Sequence, residues 1–234
     1  MRLRELGHSY FVTFNSKLNP KVWGSTDLLP EVQDKLIKIA KKFQEFIGVD
    51  LPVVDYTVTG SNANYTWTRF SDLDLHIIVK GTVTPEQREL FSAKKALWSE
   101  HHQITIKGIP VECYVQGQEE AHHSSGVYSV AHSKWLIEPK KQKPQADDAA
   151  VERKLDAIVH DTNAAIASGN LEKIEAMKDR ITNMRKAGLE RAGEYSTENL
   201  VFKSLRNLGV IDKLAEKIRE LEDRELSLES KNLT

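Results

Sequence analysis

From Pro30 to Ile47 the apolar residues Val32, Leu36, Ile39, Ala40, Phe43, Phe46 and Ile47 recur at helical spacing, while Lys35, Lys38, Lys41 and Lys42 fall largely elsewhere. The spacing predicts an amphipathic helix, and Gly48 stops it. The period then shortens. Pro52 to Thr59 reads as a strand ending at Gly60, and Leu73 to Lys80 as a second. Thr84-Pro85-Glu86-Gln87 is a capping box with proline in the first turn, which predicts a helix from Pro85 to about His101. A third strand, Ile109 to Gln116, puts Val111, Cys113 and Val115 on one face and Glu112 and Tyr114 on the other.

The character of the chain changes at Glu138-Pro139-Lys140-Lys141-Gln142-Lys143-Pro144-Gln145, which has prolines and lysines but no apolar residue and reads as a linker. Beyond it only helical periodicity remains. Val151, Leu155, Ile158, Val159 and Ile166 form one pattern, and Leu171, Ile174, Met177, Ile181 and Met184 a second, separated by Gly169-Asn170. Helices from Thr197 to Leu208 and from Val210 to about Leu228 follow, broken at Gly209. The expectation is an α/β domain over residues 1–140 and an α-helical domain over 145–234.

A chain of 234 residues with 40% hydrophobic residues fits a soluble globular protein. Residues 1–146 carry 18 basic and 16 acidic side chains, and 147–234 carry 15 and 18. Neither half is the strongly basic surface that grips duplex nucleic acid by its phosphates. The single Cys113 excludes an internal disulfide and fits a reducing cytosol. No segment approaches the ~18 apolar residues of a membrane span, so no membrane partner is expected and the location expected is cytoplasmic.

The stretch from Thr59 to His76 carries the chemistry. Asp72 and Asp74 stand two apart at the start of a strand, so both side chains project to one face while Leu73 and Leu75 go to the other. Paired carboxylates repel, and a hard divalent cation, Mg2+ or Mn2+, that also accepts triphosphate oxygens offsets the repulsion. Glu112 interrupts an otherwise apolar strand and is the natural third ligand, with Glu119 and Glu120 as the other nearby acids. Gly60-Ser61 follows a strand, where backbone N–H groups and the Ser61 hydroxyl suit a phosphate tail.

A strand, Gly60-Ser61, a short helix, Asp72-x-Asp74 and a distant acid together resemble the DNA polymerase β-like nucleotidyltransferases. More narrowly, Leu18-Asn19-Pro20-Lys21-Val22-Trp23, the helix from Pro30, the Gly-Ser turn and Ser71-Asp72-Leu73-Asp74-Leu75-His76 look like predicted nucleotidyltransferases encoded by bacteriophages, as does the tail from Tyr195 to Arg206. The resemblance implies an α/β (α+β) nucleotidyltransferase core with a small mixed sheet, followed by the α-helical domain. It implies Asp72, Asp74 and Glu112 as catalytic metal ligands, Gly60 and Ser61 on a nucleoside triphosphate (NTP), attack on the α-phosphate and release of pyrophosphate. For a phage protein the location is the host cytoplasm. The acceptor favoured is an RNA 3′ end, tRNA included, ahead of a protein or small-molecule hydroxyl or a second nucleotide; a catalytically inactive module of the same fold is the rival.

Other residues carry two readings each. Arg69 pairs with a phosphate or with an acid. Tyr128, Lys134 and Trp135 contact the nucleotide or close the sheet edge. Tyr65 and Trp67 pack in preference to stacking on a base. His76 touches a ligand or braces Asp74. The pairs His101-His102 and His122-His123 lack zinc spacing. Lys140, Lys141 and Lys143 read as a solvated linker before an RNA contact. Lys203 and Arg206, three apart on one helix, are expected to meet the acceptor.

Overall fold

The computed structural model describes residues 14–122, 124–141 and 147–228, which divide into two compact units, Thr13–Lys143 and the described residues from Asp147 on. His123, and Gln142 to Gln145 of the expected linker, lie outside the described residues.

In the first unit α1 is Pro30–Ile47, β1 Val53–Thr59, β2 Leu73–Val79, α2 Pro85–His101, β3 Thr105–Ile106, β4 Ile109–Gly117, β5 Val127–Ser129 and β6 Lys134–Ile137. One mixed sheet runs in the order β3-β4-β2-β1-β5-β6. Strand β2 lies antiparallel to β1 and parallel to β4. The parallel step is possible because α2 supplies the crossover between them.

Helix α1 buries Val32, Leu36, Ile39, Ala40, Phe43 and Ile47, the stripe its spacing predicts, and ends on Gly48 in the left-handed conformation. Helix α2 starts on the Thr84 and Gln87 capping box. Phe43 and Phe46 of α1 meet Trp98 of α2 edge to face, with ring centroids 5.5 and 5.2 Å away. Leu73, Leu75 and Ile77 of β2 are wholly buried in the same core. The alternation of β2 therefore commits one face to the core and leaves Asp74 and His76 on the other.

The second unit is helical: α3 Asp148–Ser168, α4 Leu171–Ala192, α5 Thr197–Asn207 and α6 Val210–Leu226. Val151, Leu155, Ile174, Ile181, Val201, Leu205 and Leu214 form its separate core. Gly188 permits the close approach of α4 and α5, since a Cβ there would lie 2.5 Å from the Glu198 Cβ. No helix among the described residues is long and apolar enough to cross a membrane.

Glu198 binds this unit together. Its side chain is 11% exposed and accepts from Lys154 Nζ on α3 and Arg191 on α4, both at 2.6 Å. The Lys154 hydrogen bond, with help from the backbone and Arg191, outweighs burial and holds its carboxyl down at about 2, below the ordinary 4.5. A carboxylate lowered by folding adds stability above its unfolded pKa and loses it as the pH falls through the folded one. The full shift corresponds to about 3 kcal/mol, reduced to about 2 because both cations are partly solvated. Glu198→Gln is therefore expected to cost about 2 kcal/mol in denaturant unfolding at pH 7, with the deficit closing between pH 4.5 and 2. A deficit unchanged at pH 2 excludes the charge as its cause.

Candidate metal and nucleotide site

Register brings the acids together. Asp74 is the pairing partner of Glu112 across the parallel β2 and β4 step, and of Thr59 across β1 and β2. Asp72 enters from the segment just before β2. One carboxylate oxygen from each of Asp72, Asp74 and Glu112 lies within 4.8 Å of the others, and all three residues are half-buried. Three hard anionic oxygens at that separation suit a small divalent cation, which would draw them together where water alone leaves them in repulsion.

Two neighbours fix Glu112. Lys95 Nζ, from α2, and the Tyr114 hydroxyl both donate to Oε2 at 2.6 Å. The Lys95 ammonium also stands 3.7 Å from the centroid of the Tyr114 ring. Burial alone would raise the Glu112 pKa, but these two donors outweigh it and the carboxyl sits below its ordinary value. Tyr114 lies two residues along the strand from Glu112, so period-two alternation places both on one face. Lys95 gave no such signal, because only the sheet and helix packing brings it there.

Gly60 closes the other side. It has φ 72° and ψ −159°, and a Cβ would fall 1.8 Å from Asp74 Oδ2. Only glycine fits both the backbone and the space. Its N–H donates to Ser124 Oγ at 3.1 Å. The short helical turn Ser61–Ala63 follows, as the sequence suggested. Asn62 pins that turn to β2: its Nδ2 donates to the Asp72 carbonyl at 2.7 Å, its Oδ1 accepts from Asn19 at 2.8 Å, and its own carbonyl accepts from Trp23 Nε1 at 2.6 Å. The sequence reading did not single out Asn62, although it lies in the quoted motif.

The remaining candidates scatter. The Ser61 hydroxyl is buried and donates to Ser71 Oγ at 2.8 Å, so the segment leading into Asp72 takes it up. Arg69 is exposed, with its guanidinium 4.6 Å from the Phe70 ring centroid. Tyr128 is not at the acids: it is fully buried, its ring 5.0 Å from Trp23 and 5.1 Å from Trp135, and its hydroxyl donates to Asp27 at 3.3 Å. Of the two readings open to it, nucleotide contact or closure of the sheet edge, the packing against Trp23 and Trp135 favours the second. Lys134 is exposed on β6, three strands from β2 in the sheet order and so ~14 Å away across it.

His76 stacks on Tyr114 with centroids 4.8 Å apart, and its Nδ1 lies 2.8 Å from Gln116 Oε1. Burial lowers its pKa to about 4, so the ring is neutral at physiological pH. Burial pushes the Cys113 thiol up to about 12, in line with the core role expected of it. In the helical unit Lys203 is engaged with Glu194 at 3.1 Å, both side chains mostly buried.

Comparison with curated proteins finds no significant match. Among solved structures, a STING-associated CdnE c-di-GMP synthase from Capnocytophaga granulosa is similar over 85% of this chain and 84% of its own, at 12% identity and a TM-score of 0.26. The family model described as a nucleotidyltransferase domain matches residues 35–124, a span that holds Gly60, Ser61, Asp72, Asp74 and Glu112 alike.

Proposed function

We propose that the protein is a divalent-metal-dependent nucleotidyltransferase that moves a nucleoside monophosphate from an NTP to an acceptor hydroxyl. The observation that carries this is the convergence of Asp72, Asp74 and Glu112 beside the Gly60 turn, within the segment that matches the nucleotidyltransferase domain. Asp72 and Asp74 would hold two magnesium or manganese ions and Glu112 one of them. Bound there, the metal supplies positive charge to the triphosphate and to the attacking oxygen. The Gly60-Ser61 turn receives the triphosphate, and Arg69, three residues before Asp72, is the exposed cation we assign to its charge.

Glu112 orients the acceptor hydroxyl. The hydroxyl oxygen forms a bond to the α-phosphorus, the bond from that phosphorus to the bridging oxygen breaks, and pyrophosphate leaves with the electron pair. The hydroxyl proton passes to solvent. Lys95 and Tyr114 keep Glu112 turned so that Oε2 is committed to the protein. The acceptor we favour is an RNA 3′ end, and the location we assign to the reaction is the cytoplasm, that of the bacterial host for a phage-encoded chain.

The test is incubation with magnesium and each α-labelled NTP in the presence of RNA, protein and small-molecule fractions. Label at RNA 3′ ends is expected, together with a rise in melting temperature, since a ligand at about 100 times its Kd adds about 2.7 kcal/mol. Label in another fraction reassigns the acceptor. No label and no thermal shift with any NTP overturns the proposal. The ion pair of Lys95 with Glu112 favours a second reading, a nucleotide-binding module without turnover, because an internal cation already sits on the third acid. That reading gives the thermal shift and no label.

A further inference from the structure

Beyond the three acids the open face of the sheet continues into a cavity of about 560 Å³, inside the range of small-molecule sites. It shares Thr59, the pairing partner of Asp74, and Tyr114, which donates to Glu112, with the acid site. His76 and Gln116 line it farther along. The far wall is the segment carrying Glu120, His122 and Ser124, and it is anchored to the Gly60 turn by the Gly60 N–H to Ser124 Oγ hydrogen bond.

The lining changes character along its length. At one end stand carboxylates suited to a cation; from Tyr114 onward come His76 and Gln116 in a fixed hydrogen-bond order, with an Arg88–Glu120 ion pair beside them. The Gln116 amide nitrogen faces the Glu120 carbonyl at 3.4 Å, which must accept, so the amide oxygen is the atom turned to His76. His76 Nδ1 is then the donor, and its Nε2 is left with a lone pair. His122 Nδ1 lies 3.4 Å from the same amide nitrogen and accepts from it. Arg88 at the rim is paired with Glu120 at 2.9 Å, so its charge is matched within the protein.

Among the described residues of this lining Arg88 is matched by Glu120 and leaves no cation for a second phosphate group, whereas a neutral ring with N–H donors on its edge meets the His76 Nε2 lone pair and the second lone pair of the Gln116 amide oxygen. The distance also fits. Glu112 and Gln116 are four residues apart on β4, ~13 Å along the strand, which a ribose and base laid end to end can span. We propose that this cavity holds the terminal nucleoside of the acceptor, its ribose hydroxyl at Glu112 and its base edge at Gln116 and the His76 and His122 rings. The inference rests on the transferase reading above and gives its acceptor a place.

The test titrates adenosine, guanosine, cytidine and uridine separately into the full-length protein loaded with magnesium tripolyphosphate, which fills the phosphate site and carries no base. Expected results are saturable calorimetric binding with a preference among the four, and shifts of the His76 and His122 imidazole resonances, readable in the wild type without any variant. Gln116→Leu should weaken the preferred nucleoside by about tenfold, through loss of the one hydrogen bond that the remaining lone pair of the amide oxygen can accept and of the His76 ring order that the amide fixes, and leave tripolyphosphate affinity unchanged. Nucleosides that leave both imidazoles unmoved, or that bind Gln116→Leu as tightly as wild type, overturn the assignment. Failure of magnesium tripolyphosphate to bind counts against the transferase reading alone, because nucleosides added to the unloaded protein still decide the cavity by the same two readouts.

Discussion

Asp72→Asn and Asp74→Asn are each expected to lower nucleotidyl transfer by about 10³-fold or more, a barrier increase of about 4 kcal/mol, with the fold intact. Each change keeps the shape of the side chain and removes one of three carboxylates whose oxygens lie within 4.8 Å of one another. The core side of β2 is untouched, since Leu73, Leu75 and Ile77 are wholly buried on the opposite face. In the absence of metal the melting temperature should hold or rise, because a like-charge contact has been relieved. Magnesium should then raise the melting temperature of the wild type more than that of either variant. Labelled-nucleotide transfer and thermal unfolding, measured on the same preparations, check both halves. Full activity in both variants removes these aspartates from the mechanism.

What could be read from the sequence follows from how far each determinant reaches along the chain. Helix α1 and its Gly48 stop, the α2 capping box and the two glycine-marked helix breaks at Gly169 and Gly209 are local, and the structure has them where the spacing placed them. The encounter of Asp74 with Glu112 was legible because strand alternation assigns both a face and an α2 crossover makes the pairing parallel. Lys95 was invisible for the opposite reason. It is one of two adjacent lysines on α2, and only three-dimensional packing sets its ammonium on Glu112 and over Tyr114. Tyr128 kept two readings because an aromatic residue on a short strand looks the same in sequence whether it meets a ligand or packs at the sheet, and here Trp23 and Trp135 flank it. Thr105–Ile106 was too short to carry a period at all.

Gly60→Val should be the most damaging single substitution in the Gly60-Ser61 turn, and on the proposed function it abolishes binding of a magnesium triphosphate while destabilising the fold by roughly 1–3 kcal/mol. Two separate costs combine. Backbone angles of 72° and −159° belong to a region that only glycine enters freely, and the first side-chain carbon would overlap Asp74 Oδ2 at 1.8 Å. Valine must therefore push either the turn or the Asp74 carboxylate away, and each of these dismantles the juxtaposition on which the site depends. Ser61→Ala is the milder neighbour. It loses a hydroxyl that already donates to Ser71, so nucleotide affinity should fall by no more than about tenfold. The two costs at Gly60 can be separated by a double-mutant cycle with Asp74→Ala, measured by denaturant unfolding. If overlap with the carboxylate dominates, removing that carboxylate should recover part of the stability lost in Gly60→Val, while transfer stays absent because one of the three clustered carboxylates is gone. If backbone strain dominates, the two losses should add. Gly60→Val that binds the triphosphate as tightly as wild type would show that neither cost reaches the site, and would take the turn out of phosphate recognition.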